Sequence, residues 1–202
     1  MSTGAQLSAD TPPVTGAAAR GPRVVVDGNG RPAGRSAELA GALSAYQDTV
    51  VRMDALDAVT TELVRRRCAR QHDCRICQSL RLISAMESGL DEDGIQDVDR
   101  FEDADFSEAH KVALRIVDAF IWHPANVDPE LVAQARSHYT DRQLAELLVD
   151  ISKWSTQKIH VALGTDGTDR VPLGPDGRAY FTFAASGAVA TMSPVRPGSH
   201  QV

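Results

Sequence analysis

Residues 62–81 read ELVRRRCARQHDCRICQSLR, and the use made of their cysteines decides both the fold and the chemistry. The stretch holds all three cysteines of the 202-residue chain, together with six arginines and one glutamate. Cys74-Arg-Ile-Cys77 spans about one helical turn, so the two sulfurs can approach closely enough for a reducible disulfide. Asp73 is a candidate N-cap, which would place Cys74 in a first helical turn where the helix dipole favours a thiolate. Arg81, four residues after Cys77, reaches back on the same face, and Arg70 and Arg75 add positive potential. Two other uses stay open on the residues alone. Cys68, His72, Cys74 and Cys77 are zinc-type ligands in close succession, although C-x3-H-x-C-x2-C is not a common framework. Two buried, inert thiols are the third reading.

The segments on either side are helical. Residues 36–53 and 55–71 form two helix candidates broken near Asp54, and RICQSLRLISAMES reads as one helix with Ile76, Leu80, Ile83 and Met86 on one face, closed at Gly89. A stripe of Ala109, Val112, Ala113, Ile116, Val117 and Phe120 marks another helix. Asp128-Pro129 starts the next. Thr140-Asp-Arg-Gln143 is a capping box opening a helix that runs through Leu147, Ile151 and Trp154 to Gly164. A thioredoxin-type reading requires a βαβ context, which this pattern excludes. The expected fold is therefore all-α, with a flexible N-terminal arm (1–35), a helical domain (36–166) and a C-terminal hairpin and tail (167–202) whose turn is placed at Pro175-Asp176-Gly177. Residues 87–108 hold ten acids against the single base Arg100 and read as a solvated connection, since the ligand positions of a calcium loop fail there.

A net charge of −6 and a pI near 5.5 make no case for nucleic acid or an anionic membrane as partner. No apolar run approaches the roughly 20 residues of a membrane span. The N-terminus lacks the basic and apolar regions of a secretory signal, so the expected compartment is the cytoplasm, where a CxxC is catalytic or metal-binding more often than a structural disulfide.

The segment ELVRRRCARQHDCRIC resembles the E-x(11)-C-x-x-C motif of the AhpD-like (carboxymuconolactone decarboxylase) superfamily, and KIHVALGTD at 158–166 is similar to the end of that family's last core helix. The resemblance implies an AhpD-like helical bundle that assembles as trimers or hexamers. For the peroxidase branch it implies that Cys77 attacks a peroxide, that Cys74 resolves the sulfenic acid, and that a thiol reductant restores the pair without cofactor or metal. It also implies a proton relay from Glu62 to a histidine four residues after the second cysteine. That position is Arg81 here, and arginine stays protonated where histidine would shuttle protons. A Glu62–Arg81 ion pair holding the arginine against Cys77 is the expected substitute. His72 is the nearest alternative proton source, with His110, His123, His138 and His160 dependent on folding. Of Arg65, Arg66 and Arg67, fanned at about 100° per residue, at least one is expected in solvent or at a subunit contact. The functional expectation is a thiol-dependent peroxidase or disulfide oxidoreductase acting on a peroxide or small disulfide. A decarboxylase-type lyase and a non-catalytic redox-sensing or zinc-holding module are the alternatives.

Overall fold

The computed structural model describes residues 21–28, 31–34, 36–196 and 198, and in it the apolar stripes become helices whose starts are set by side-chain caps. Helix α1 (Ala37–Val50) begins at Ser36, whose hydroxyl accepts from the Leu39 amide, and α2 (Ala58–Gln71) begins at Asp57, which accepts from the Thr60 amide. After α2 come a short α3 (Arg75–Ser79), strand β1 (Leu80–Leu82) and α4 (Ile83–Glu87). Helix α5 (Glu92–Asp97) and a 3₁₀ turn (Val98–Arg100) lead into α6 (Glu108–Trp122). Helix α7 (Pro129–His138) opens on Asp128, and α8 (Asp141–Ser155) on the Thr140–Gln143 capping box, both as expected. Helix α9 (Lys158–Leu163) ends at Gly164, which adopts the left-handed conformation (φ 68°).

Helix α2 is the centre of the bundle, packed against both α6 and α8. Its Val64 and Cys68 join Val112, Val117, Leu147 and Ile151 in one core. On its other side Leu63 joins Leu82, Ile95, Val98, Leu114 and Phe181 in a second. Each large aliphatic side chain buried there stabilises the fold by about 1.5–3 kcal/mol.

Four expectations are corrected. The single helix expected over 75–88 is interrupted by β1. Its carbonyls at Cys77, Gln78 and Leu80 accept from the guanidiniums of Arg65, Arg66 and Arg81, leaving little for the amides of a continuing helix. Strand β1 instead pairs in parallel with β2 (Ala179–Phe183), in the register Leu80↔Ala179 and Leu82↔Phe181. The Pro175-Asp176-Gly177 turn exists, closed by Gly174 N donating to Arg178 O at 2.8 Å, but it precedes β2. The hairpin itself joins β2 to β3 (Val189–Ser193) through Ala184–Ala188 and completes a small sheet of order β1-β2-β3. The acidic segment also folds, because Leu90, Ile95, Val98 and Phe101 bury themselves under α5 while Asp91 caps that helix. Finally, the last long helix is split between α8 and α9 near Thr156, whose hydroxyl donates to the Lys153 carbonyl.

Toward the N-terminus, Val26 and Pro32 form an isolated bridge, Asp27 N donates to Arg31 O, and Arg23 N donates to Leu163 O. Residues 1–20 of the expected arm lie outside the described residues, as do 197 and 199–202 of the expected tail. Among the described residues no helix is long and apolar enough to cross a membrane.

Candidate functional site

The site is set up by how α2 stops. Asp73 N donates to Arg70 O and Cys74 N to Ala69 O, the two bonds of a Schellman motif, with Asp73 in the left-handed conformation (φ 50°) that aspartate tolerates better than most residues. Asp73 therefore ends α2 rather than capping the next helix. Cys74 itself is the N-cap of α3, its sulfur accepting from the Cys77 amide at 3.3 Å. The two cysteines form a disulfide with Cα atoms 5.3 Å apart. Asp166, fully buried and just past α9, accepts from the Arg75 amide and twice from its guanidinium, which fixes the start of α3.

The far end of α3 rests on a buried ionic layer from α2. Glu62, 0% exposed, takes a bidentate bond from Arg65 with both contacts at 2.6 Å, and one oxygen also accepts from the Leu82 amide. Arg65 goes on to donate to the carbonyls of Cys77 and Leu80, while Arg66 donates to those of Cys77 and Gln78. Burial, followed by the cations of Arg65 and Arg81, pulls the Arg66 pKa down to about 9, against the pull of Glu62. The arginine triplet is thus neither solvated nor spare. Arg65 and Arg66 are buried, and Arg67 pairs with Asp118 at 2.6 Å.

The two cysteines are not equivalent. Cys74 is 0% exposed, whereas the half-buried Cys77 lines a cavity of about 220 Å³. Opposite it stand Arg65, Lys153, Trp154, Phe181 and Phe183. The hairpin turn closes one rim at Gly187 (φ 91°), where a Cβ would collide with the Asp48 carbonyl, so the C-terminal hairpin is part of the site. An adjoining cavity of about 480 Å³ shares Val51, Trp154 and Phe183 and is lined by Glu146 and Asp150. Glu146 is occupied by the amides of Ala55 and Leu56. Burial pushes the Asp150 carboxyl up to about 7, with Lys153 opposing and Glu146 adding to the rise.

The other expected site residues lie elsewhere. Arg81 pairs with Glu92 at 2.7 Å rather than with Glu62, and its remaining donors go to Gln78 and Leu80 carbonyls. The expected Glu62–Arg81 pair is absent because Arg65, one helical turn from Glu62, takes both carboxylate oxygens. Arg81→His should therefore bring no gain in peroxide reactivity and cost about 1–3 kcal/mol through the lost bonds to the Gln78 and Leu80 carbonyls and to Glu92, which keeps Arg178 and Gln96. Urea unfolding and a peroxide assay on the variant check this.

His72 lines a different cavity, beside Trp122 and Lys158, and neither ring nitrogen has a hydrogen-bond partner among the described residues. Burial, and then the Lys158 cation, lowers its pKa from 6.5 to about 4. The unfolded chain therefore takes up this proton first, so stability is lost as pH falls from 6.5 toward 4. The melting temperature should drop between those pH values, and drop less in His72→Leu. Equal drops in both proteins would contradict the assignment.

Cys68 is buried in the core, and its thiol is pushed well up by burial. Among the described residues no three His, Cys, Asp or Glu side chains converge as a metal ligand set. Lys153 and Asp150 escaped the sequence reading, though a signal existed. Glu146, Asp150 and Lys153 recur at i, i+4 and i+7 beside the apolar stripe of α8. Such a row looks like a solvent face, but all three are buried.

No protein-family model matches the chain. Two uncharacterized proteins of Mycobacterium tuberculosis, one from each of two strains, are 39% identical to it over 149 residues, covering 70% of this chain. The chain spans about half (52%) of the length of these curated relatives. Among solved structures, an Agrobacterium tumefaciens protein of unknown function, provisionally assigned to AhpD antioxidant defence, superimposes with a TM-score of 0.54 at 20% identity, over 63% of this chain and 89% of that one. The debrominase Bmp8, crystallised with 2,3,4-tribromopyrrole, superimposes with a TM-score of 0.55 at 16% identity, over 64% and 71%. These likenesses establish the fold, which is AhpD-like and helical.

Proposed function

We propose that on this AhpD-like fold the Cys74–Cys77 pair is a redox centre that reduces hydroperoxides, with Cys77 as the attacking thiolate and Cys74 as the resolving thiol. The observation that carries the reading is the unequal placement of the pair, Cys77 on the cavity and Cys74 fully buried behind it. In the reduced protein the Cys77 thiolate attacks the distal oxygen of ROOH. An S–O bond forms, the O–O bond breaks, and the alkoxide leaves as ROH after gaining a proton. Sulfur loses two electrons and the peroxide gains them. The Cys74 thiol then attacks the sulfenic sulfur, forming the disulfide and releasing hydroxide, which departs as water with the Cys74 proton. A dithiol protein or small thiol reduces the disulfide and closes the cycle.

The largely apolar and aromatic lining, with Lys153, Arg65 and Asp48 as its charged groups, suits a small organic hydroperoxide, and a small disulfide would meet the same thiolate. A reducing cytoplasmic setting and assembly as trimers or hexamers belong to this reading. In it Glu62 holds Arg65 and Arg66 in place rather than carrying protons. Sustained, dithiol-dependent consumption of tert-butyl hydroperoxide by the purified protein is the expected result. Failure to consume it, with both thiols of the pair still titratable after exposure, would refute the proposal.

A further inference from the structure

We propose that Lys153 is the proton-handling group of this site, its amine taking the Cys77 thiol proton and its ammonium returning it to the departing alkoxide. The inference rests on the peroxidase reading above and supplies the proton transfer that Arg81, bonded to Glu92, and His72, in another cavity, are not placed to perform.

Lys153 and Cys77 line the same cavity of about 220 Å³, so a hydroperoxide seated there meets both. The side chain comes from α8, is 4% exposed, and holds its ammonium 2.9 Å from the Trp154 ring centroid and 5.9 Å from that of Phe183. Those rings exclude water from the ammonium. The charged and titratable groups around it are Asp150 on its own helix, Asp48 from α1, and Arg65 and Cys68 from α2, with Cys77 facing it from α3. Burial lowers the Lys153 pKa to about 7, Arg65 adding to the fall while Asp150, Asp48 and Cys68 oppose it. Both the amine and the ammonium are therefore populated near neutrality, as an efficient proton carrier requires. Asp150, itself buried, lines the adjoining cavity of about 480 Å³.

The chemistry balances in two steps. Cys77–SH and the Lys153 amine give the thiolate and the ammonium. Thiolate, ROOH and ammonium then give Cys77–SOH, ROH and the free amine. Lys153 ends as it began, and Cys77 alone is oxidised.

The test uses the full chain with Cys74→Ser, so that the sulfenic acid persists. Its formation from tert-butyl hydroperoxide is timed from about pH 5.5 to 9, spanning the thiol and amine titrations, with Cys77 alkylation and thermal melting followed in parallel. Lys153→Met should react about 10²-fold more slowly near pH 7. Its alkylation midpoint should rise toward the roughly 8.5 of a free thiol. Lys153→Arg should keep the low alkylation midpoint yet lose at least about tenfold in peroxide rate, since guanidinium holds its proton. A folded Lys153→Met protein with the parent's rate and pH profile overturns the role of Lys153 and leaves the peroxidase reading standing. Should the Met variant not fold, an undiminished rate in Lys153→Arg overturns the role equally. A parent protein that forms no sulfenic acid overturns both.

Discussion

Cys77→Ser is expected to slow hydroperoxide consumption by at least about 10³-fold, the scale of loss when a nucleophile is removed. Cys74→Ser should instead permit one turnover and stop at the sulfenic acid. The asymmetry follows from burial. Cys77 opens onto the cavity, so a substrate can reach its sulfur, whereas Cys74 is wholly enclosed and touches the outside only through its partner. The third cysteine is an internal control. Cys68 is buried in the helical core with its thiol held protonated, and Cys68→Ala should consume peroxide at the parent's rate. Stopped-flow peroxide assays on the three variants separate these outcomes. Wild-type kinetics in Cys77→Ser would remove the thiol from the mechanism.

Glu62→Ala is expected to destabilise the fold by about 3–5 kcal/mol, the penalty for breaking a buried ion pair by deleting one partner. The figure belongs to this position because Glu62 is fully buried and takes both of its short bonds from Arg65, with Arg66 equally buried alongside. Without the carboxylate, Arg65 keeps only the Cys77 and Leu80 carbonyls and the Trp154 and Phe181 rings, and Arg66 loses the attraction of Glu62. The segment that presents Cys77 should loosen with them. Urea unfolding reads the loss directly. A Glu62→Ala protein with unchanged stability but a hundredfold slower peroxide reaction would show instead that Glu62 is a proton carrier, as the family resemblance implied.

Much of the helical frame was legible from capping and periodicity. Asp128-Pro129 and the Thr140–Gln143 box start α7 and α8 where local rules put them, because an N-cap is decided within one turn of chain. The break after Ser79 was not legible. It depends on Arg65 and Arg66 reaching from α2 and on β2, about a hundred residues downstream, supplying a ladder to Leu80–Leu82. An arginine run ordinarily signals solvent, and only the tertiary contacts show that this one replaces a helix's own hydrogen bonds. The candidate site divides along the same line. The cysteine pair and Glu62 were visible as a spaced motif, whereas Arg81, placed by the motif at Cys77, is drawn away by Glu92, which stands in the acidic segment taken for a solvated loop. Lys153 was hidden because burial of a polar helix row is a property of what packs against it, here the C-terminal hairpin and the end of α1.

The central claim, that Cys77 is the residue a peroxide meets first, is tested most directly by treating the reduced Cys74→Ser protein with one equivalent of tert-butyl hydroperoxide and mapping the product by peptide mass spectrometry after trapping. The account predicts a trapped sulfenic acid on Cys77 and an unmodified Cys68. A product bearing no oxidised cysteine, or one oxidised at Cys68 with Cys77 intact, would contradict it.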